Sequence, residues 1–186
     1  MVNPVEISNG SILLRPYKLS DVDSLHQAAS ESTAEVWQWL EWCHPGLTAD
    51  ECRRFIERQS DNWAKGIAYN FAITELQSDF YLGGCGLTEM RHEDRVASVV
   101  YWVRTGRTGE GIATATVLLL AGFGFRQLRL NRIEIVIATG NLASQRVAKK
   151  TGTVREGILR DRYEAHGRIQ DAFMFSLIPQ DLSQKK

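Results

Sequence analysis

Arg104-Thr105-Gly106-Arg107-Thr108-Gly109-Glu110-Gly111-Ile112-Ala113-Thr114 is the stretch on which the reading of this chain turns. It follows Val96 to Val103, a β-branched and aromatic run that reads as a strand, and it opens an apolar run from Ile112 to about Leu128 that reads as a buried helix. The glycines therefore stand between a strand and the first turn of a helix. Free N–H groups at a helix start carry partial positive charge, and glycine lets backbone approach a ligand with no Cβ in the way. That combination is a cradle for an anion, most naturally a pyrophosphate. A P-loop is excluded because no Gly-Lys-Ser/Thr follows, and a dinucleotide fingerprint fails because Thr114 stands where its third glycine belongs.

Outward from this turn, an isoleucine-rich strand (Ile133, Ile135, Val136, Ile137) follows the helix, so strand, crossover helix and strand predict one parallel pair with right-handed connection. Asn141 caps a further helix to about Lys150, which Gly152 ends, and Val154 to Ala165 and Ile169 to Leu177 form a hairpin turning at His166-Gly167. On the amino-terminal side, Tyr69 to Thr74, Tyr81 to Met90 and Val96 to Val103 are separated by short polar breaks, the grammar of an antiparallel meander. Before them come a strand at Ser11 to Pro16, a helix capped at Ser20-Asp21 and running to about Glu31, a helical stretch around Trp37, and one amphipathic helix over residues 48–64 opened by Thr48-Ala49-Asp50-Glu51. The sum is a single α/β domain over residues 1–186, with a mixed, mostly antiparallel central sheet flanked by helices.

Composition narrows the function classes. Among 186 residues, Lys plus Arg (22) balance Asp plus Glu (22), so no global field draws the chain to nucleic acid or an anionic membrane, and any anion site is local. The amino terminus lacks a signal core, and no apolar run approaches the ~20 residues that span a bilayer. Three cysteines (Cys43, Cys52, Cys85) and four scattered histidines form no zinc or disulfide pattern, which suits a reducing cytoplasm and predicts no metal. Cys85, inside a strand, reads as a small core residue.

Thr108-Gly109-Glu110-Gly111-Ile112-Ala113 resembles the cofactor loop of the GNAT acetyltransferases, Arg/Gln-x-x-Gly-x-Gly/Ala, with Thr108 departing from its first position and Arg107 adjacent. Val100-Tyr101-Trp102-Val103 is similar to the family's strand beside the pantetheine arm, and Asn141 to Ala148 to its later helix bearing Asn and Ser. Glu156 to Arg160, Asp171 to Leu177, the early Arg15-Pro16 and the Trp37-to-Trp42 stretch extend the likeness toward the branch that acetylates ribosomal-protein amino termini (alanine or serine).

The resemblance implies acetyl-CoA as co-substrate and direct acetyl transfer to a primary amine, a protein N-terminus or a small amine such as an antibiotic or polyamine, by a monomer or homodimer. A non-catalytic acyl-CoA-binding module is the other class. It also implies cofactor contacts from Trp102, Val103, Arg104, Arg107, Thr108, Gly109, Glu110, Gly111, Ile112, Ala113, Thr114, Asn141 and Ser144. The carbonyl oxygen needs donors, here backbone N–H near Trp102 and Val103, and the departing thiolate needs a proton or hydrogen bond, from Ser144 or Tyr163. An α-amine, with a reference pKa of ~7.7–8.0, needs only a modest base, for which Glu89 is the candidate and Glu156 and Glu164 are rivals. Arg104 and Arg107 read as phosphate partners or as solvated charges. Trp39 reads as core, while Trp37 and Trp42 stay open between core and substrate groove.

Overall fold

The structure, a computed structural model, describes residues 5–183. β1 (Ile7–Ser8) and β2 (Ile12–Arg15) lead into the meander β3 (Tyr69–Glu75), β4 (Tyr81–Arg91) and β5 (Val96–Val103); every neighbouring pair is antiparallel, as the short breaks within the meander require there. β6 (Arg132–Ala138) then runs parallel to β5, and the hairpin β7 (Val154–Ala165) and β8 (Arg168–Leu177) completes a sheet of order β1-β2-β3-β4-β5-β6-β8-β7. The mixed α/β architecture is the one expected.

Strand alternation divides the core between the two faces. Tyr69, Phe71 and Ile73 of β3 point to the face covered by α4 (Ile112–Arg126), where Phe123 meets Phe71 edge-on at 5.4 Å, and Trp63 of α3 (Gln59–Lys65) joins them. Ala72 points to the other face, against α1 (Val22–Val36) and α2 (Ala49–Glu57), with Leu25, Ala28, Cys52 and Ile56 buried there. α5 (Leu142–Thr151) follows β6, and α6 (Pro179–Ser183) ends the described chain. Full burial of a side chain such as Phe123 contributes about 1.5–3 kcal/mol.

Three amino-terminal expectations are corrected. Ser20 is not a cap: α1 begins at Val22, and Asp21 is buried, its carboxylate taken by the Arg15 guanidinium and the Lys18 N–H. There is no separate helix around Trp37, because α1 continues past Glu31 to Val36 and Trp37 is its C-cap. Residues 48–64 are two helices instead of one. The buried Gln59 side chain takes the Phe55 carbonyl at 2.6 Å that its own N–H would meet in a continuous helix, and the Asn70 amide holds it there.

One departure from regularity positions the site. β5 and β6 pair only where Val96, Ala97 and Ser98 face Arg132, Ile133 and Glu134. Beyond Ser98, β5 keeps only its β4 ladder and β6 only its β8 ladder, so the two parallel strands part and open a cleft in the middle of the sheet.

Candidate active site

The parted strand β5 has two walls. Alternation turns Tyr101 and Val103 toward the α4 face and Trp102 toward the α1–α2 face. Two cavities result, of about 620 Å³ and about 480 Å³, and Leu40, Tyr101 and Trp102 line both, so the cavities meet on β5.

The larger cavity contains the glycine turn. Gly109 and Gly111 hold φ of +85° and +83°, left-handed backbone that other residues adopt at a cost, and nothing lies within 4 Å of the Cβ either would carry. Gly111 is the N-cap of α4 and no side chain caps it, which leaves the first-turn N–H groups facing the opening. This is a cradle that fits a phosphate-bearing group. The loop that reaches it is pinned by α1. Glu31 takes Arg104 through two bonds of 2.6 Å, Ser32 Oγ accepts the Thr105 N–H, and Glu35 accepts the Thr105 hydroxyl. Arg107 is held by Glu110 and Glu75, and Thr108 folds its hydroxyl onto the Thr105 carbonyl.

The expected cofactor residues thus divide. Trp102, Val103, Arg107, Thr108, Gly109, Gly111, Ile112, Ala113, Thr114, Asn141 and Ser144 line the cleft. Arg104 and Glu110 do not. Arg104 is buried against Glu31 and the Phe80 ring, and Glu110 is spent on Arg107, so each builds the loop from behind. Asn141 has a double use, since its side chain also accepts the Ser144 N–H and starts α5. On the same helix, Arg146 and Lys150 stand at the cleft one turn apart. Neither is among the residues expected at the site, although two basic residues spaced i,i+4 after a capping Asn are visible in the sequence.

The backbone donors are also resolved. The Arg104 N–H is donated to the Leu82 carbonyl, and the Trp102 carbonyl presses on Gly83, where a side chain would collide with it. Residues 104 and 102 therefore face β4, and ladder alternation turns the N–H groups of Val103 and Tyr101 into the gap. Of the two expected donors, Val103 is aimed at the cleft and Trp102 is not.

The catalytic candidates fare unequally. Ser144 lines the cleft beside Tyr101, whose hydroxyl is buried with no hydrogen bond of ordinary geometry among the described residues. Burial pushes the Tyr101 phenol up, and neighbouring Ser144 partly offsets this. The sequence reading used Tyr101 only for its backbone; strand alternation from Trp102 would have exposed its side chain as the one facing the helix start. Tyr163 is elsewhere, its hydroxyl donated to the Trp39 carbonyl, where it braces the cleft rim instead of facing the reacting centre. Glu89 is exposed at a bulge of β4, accepts the Ser98 hydroxyl at 2.7 Å, and lines neither cavity. Glu156 is locked by Arg132 and Ser176, which hold its carboxyl down at about 2. Trp39 is half-buried at the cleft and not in the core, Trp42 lines the smaller cavity, and Trp37 packs on His166.

Cys85 is buried, and burial raises its thiol well above the ordinary range, as a core residue and not a nucleophile requires. Among the described residues no group of three His, Cys, Asp or Glu is placed to hold a metal ion, and no helix is long and apolar enough to cross a membrane.

Known proteins share this architecture. The "Uncharacterized N-acetyltransferase p20" of Bacillus licheniformis is 31% identical over 170 residues, 91% of this chain and 94% of its own length. The ribosomal-protein-serine acetyltransferase of Escherichia coli strain K12 is 21% identical over 178 residues, 96% and 98% of the two chains. The solved RimL, a ribosomal L7/L12 alpha-N-protein acetyltransferase in complex with coenzyme A, superposes with a TM-score of 0.85 at 22% identity, covering 95% of this chain and 98% of that one. The domain family described as acetyltransferase (GNAT) matches residues 11–154, and by that match, on this splayed sheet and glycine cradle, the chain belongs to the GNAT acetyltransferases.

Proposed function

We propose that this N-acetyltransferase moves the acetyl group of acetyl-CoA to the α-amine of a protein amino terminus. The observation that carries the reading is the meeting of two cavities at Tyr101 and Trp102: a cleft with an anion cradle on one side of β5 and a separate chamber for an acceptor on the other. The relatives named ribosomal-protein acetyltransferases support an N-terminal acceptor.

The larger cleft fits acetyl-CoA through the uncapped start of α4 and the cations Arg146 and Lys150, and the thioester supplies an activated acetyl group when bound. The chain's own residues do the rest. The Val103 N–H, fixed in a ladder and pointing into the gap, donates to the carbonyl oxygen as negative charge grows there, at no reorganisation cost. Ser144 and Tyr101 hold hydroxyls that donate to the leaving sulfur without bringing a charge. The attacking amine must be neutral. An α-amine with a pKa of ~7.7–8.0 is partly so near neutrality, so solvent can take the proton that Glu89, outside both cavities, is not placed to take.

Thermal unfolding with acetyl-CoA, NAD and ATP at matched concentration, with thiol release followed alongside, tests the reading. At ~100 times the dissociation constant, ligand linkage gives about 2.7 kcal/mol, or a rise of roughly 5–11 °C for a domain of this size. A rise selective for acetyl-CoA with amine-dependent thiol release is expected, and no rise would overturn the cradle.

A further inference from the structure

We infer that the preferred acceptor is an α-amine whose own side chain is large and apolar or aromatic and which carries a negative charge a few atoms away. The inference rests on the acetyl-transfer reading above and assigns the chemistry of the smaller cavity.

Size is the first argument. The chamber is about 480 Å³, and the methyl of alanine or the hydroxymethyl of serine would leave most of it unfilled. An apolar chamber rewards an occupant that excludes water from its walls. The walls are aromatic: Tyr17 meets Phe55 edge-on at 5.2 Å, and Trp42 meets Trp102 at 5.3 Å. Trp42 lines the chamber and is 40% exposed overall.

Charge is the second argument. Glu51 is the one carboxylate among the lining residues, and it is already spent on the Thr48 N–H (2.8 Å), the Thr48 hydroxyl (2.7 Å) and His44 Nε2 (3.2 Å). Against this one carboxylate the lining carries the guanidiniums of Arg54 and Arg58, so the chamber has no negative balance to hold a polycation, which tells against polyamines and aminoglycoside-like amines. Arg54 of α2 and Arg58 at the helix C-cap, four residues on, by contrast line the chamber as exposed side chains with no side-chain partner among the described residues. Two unspent guanidiniums beside an aromatic wall fit an acceptor with an apolar body and a carboxylate or other anion near its amine.

The test uses the whole chain, acetyl-CoA and a matched acceptor set read by thiol release. Peptides beginning Phe-Asp, Phe-Asn and Ala-Asp separate the side chain from the charge, free phenylalanine separates an amino acid from a peptide terminus, and spermidine represents polycations. The Phe-Asp peptide is expected to exceed both Ala-Asp and Phe-Asn at least tenfold in kcat/KM. Free phenylalanine ahead of the peptide would overturn the peptide-terminus acceptor. In an Arg54→Gln/Arg58→Gln variant, the Phe-Asp to Phe-Asn ratio should fall below threefold. Equal use of Ala-Asp, preference for spermidine, or no acetylation of any of the set while acetyl-CoA still stabilises the protein would overturn the inference and leave the cofactor site standing. Absence of stabilisation by acetyl-CoA would remove the acetyl-transfer reading and this inference with it.

Discussion

Two hydroxyls, Ser144 and Tyr101, stand side by side in the cleft, and removing each has a different physical consequence. The Tyr101 hydroxyl is buried beside Ser144, with no hydrogen bond of ordinary geometry to it among the described residues. Tyr101→Phe should therefore leave stability within about 1 kcal/mol of wild type, a Tm within roughly 2–4 °C. If this hydroxyl serves the leaving sulfur, kcat should fall by about a hundredfold in the same variant, a loss of function without a matching loss of stability. Ser144→Ala leaves the Asn141 cap intact, because the cap uses the Ser144 backbone, so acetyl-CoA stabilisation should persist while kcat falls. Full turnover in Ser144→Ala with loss in Tyr101→Phe would assign the donor to Tyr101 alone. Tyr163, tied to the Trp39 carbonyl, shows why residue identity was harder to read than residue neighbourhood. A hairpin tyrosine looks the same in sequence whichever way the hairpin coils.

The elements that carry the cofactor cleft were legible because their signals are local. The glycine turn, the apolar α4, the isoleucines of β6 and the Asn141 cap each announce themselves within a few residues, and all four form where expected. Gly111→Val tests the turn. A β-branched residue at φ +83° is strained by about 1–2 kcal/mol even though the space around it is open, so the variant should unfold a few degrees lower and lose stabilisation by acetyl-CoA. Retained stabilisation in a folded variant would show that the backbone there needs no glycine. What stayed illegible depends on long-range pairing: the break at Arg58 is set by Gln59 reaching Asn70 on another element, and the commitment of Arg104 to Glu31 spans the two faces of the loop. The hairpin offers a second prediction. Glu156, held near 2 by Arg132 and Ser176, is depressed relative to the unfolded chain, so its contribution is present above about pH 4.5 and is lost as pH falls toward 2. Glu156→Gln should be less stable than wild type by a constant amount at pH 5–7, and the gap measured by denaturant unfolding should close between pH 4.5 and 2.

At the scale of the molecule, the sheet separates two cavities, to which the proposed function gives separate tasks. The cleft proposed for acetyl-CoA is lined largely by β5, α4 and α5, and the chamber proposed for the acceptor is walled by the layer of α1 and α2. That layer is fastened by one buried ionic knot in which Arg15 of β2 grips Asp21 through bonds of 2.8 Å and reaches Asp79 in the β3–β4 turn. The side chains of Arg15 and Asp21 are only 3% and 7% exposed, so the pair is worth little compared with an apolar substitute, yet removing one member strands the other's charge. Arg15→Met should cost about 3–5 kcal/mol, a Tm lower by roughly 6–20 °C. Because the knot anchors the start of α1 and not the glycine turn, loss of order should fall first on the chamber. At a temperature where the variant is still folded, KM for the acceptor should rise while acetyl-CoA stabilisation is kept. α1 also reaches the cleft at its far end from the knot, where Glu35 and Val36 line it and Glu31, Ser32 and Glu35 grip residues 104–105. Equal loss at both sites would mean that α1 transmits the disturbance along its whole length and that the two cavities are one mechanical unit.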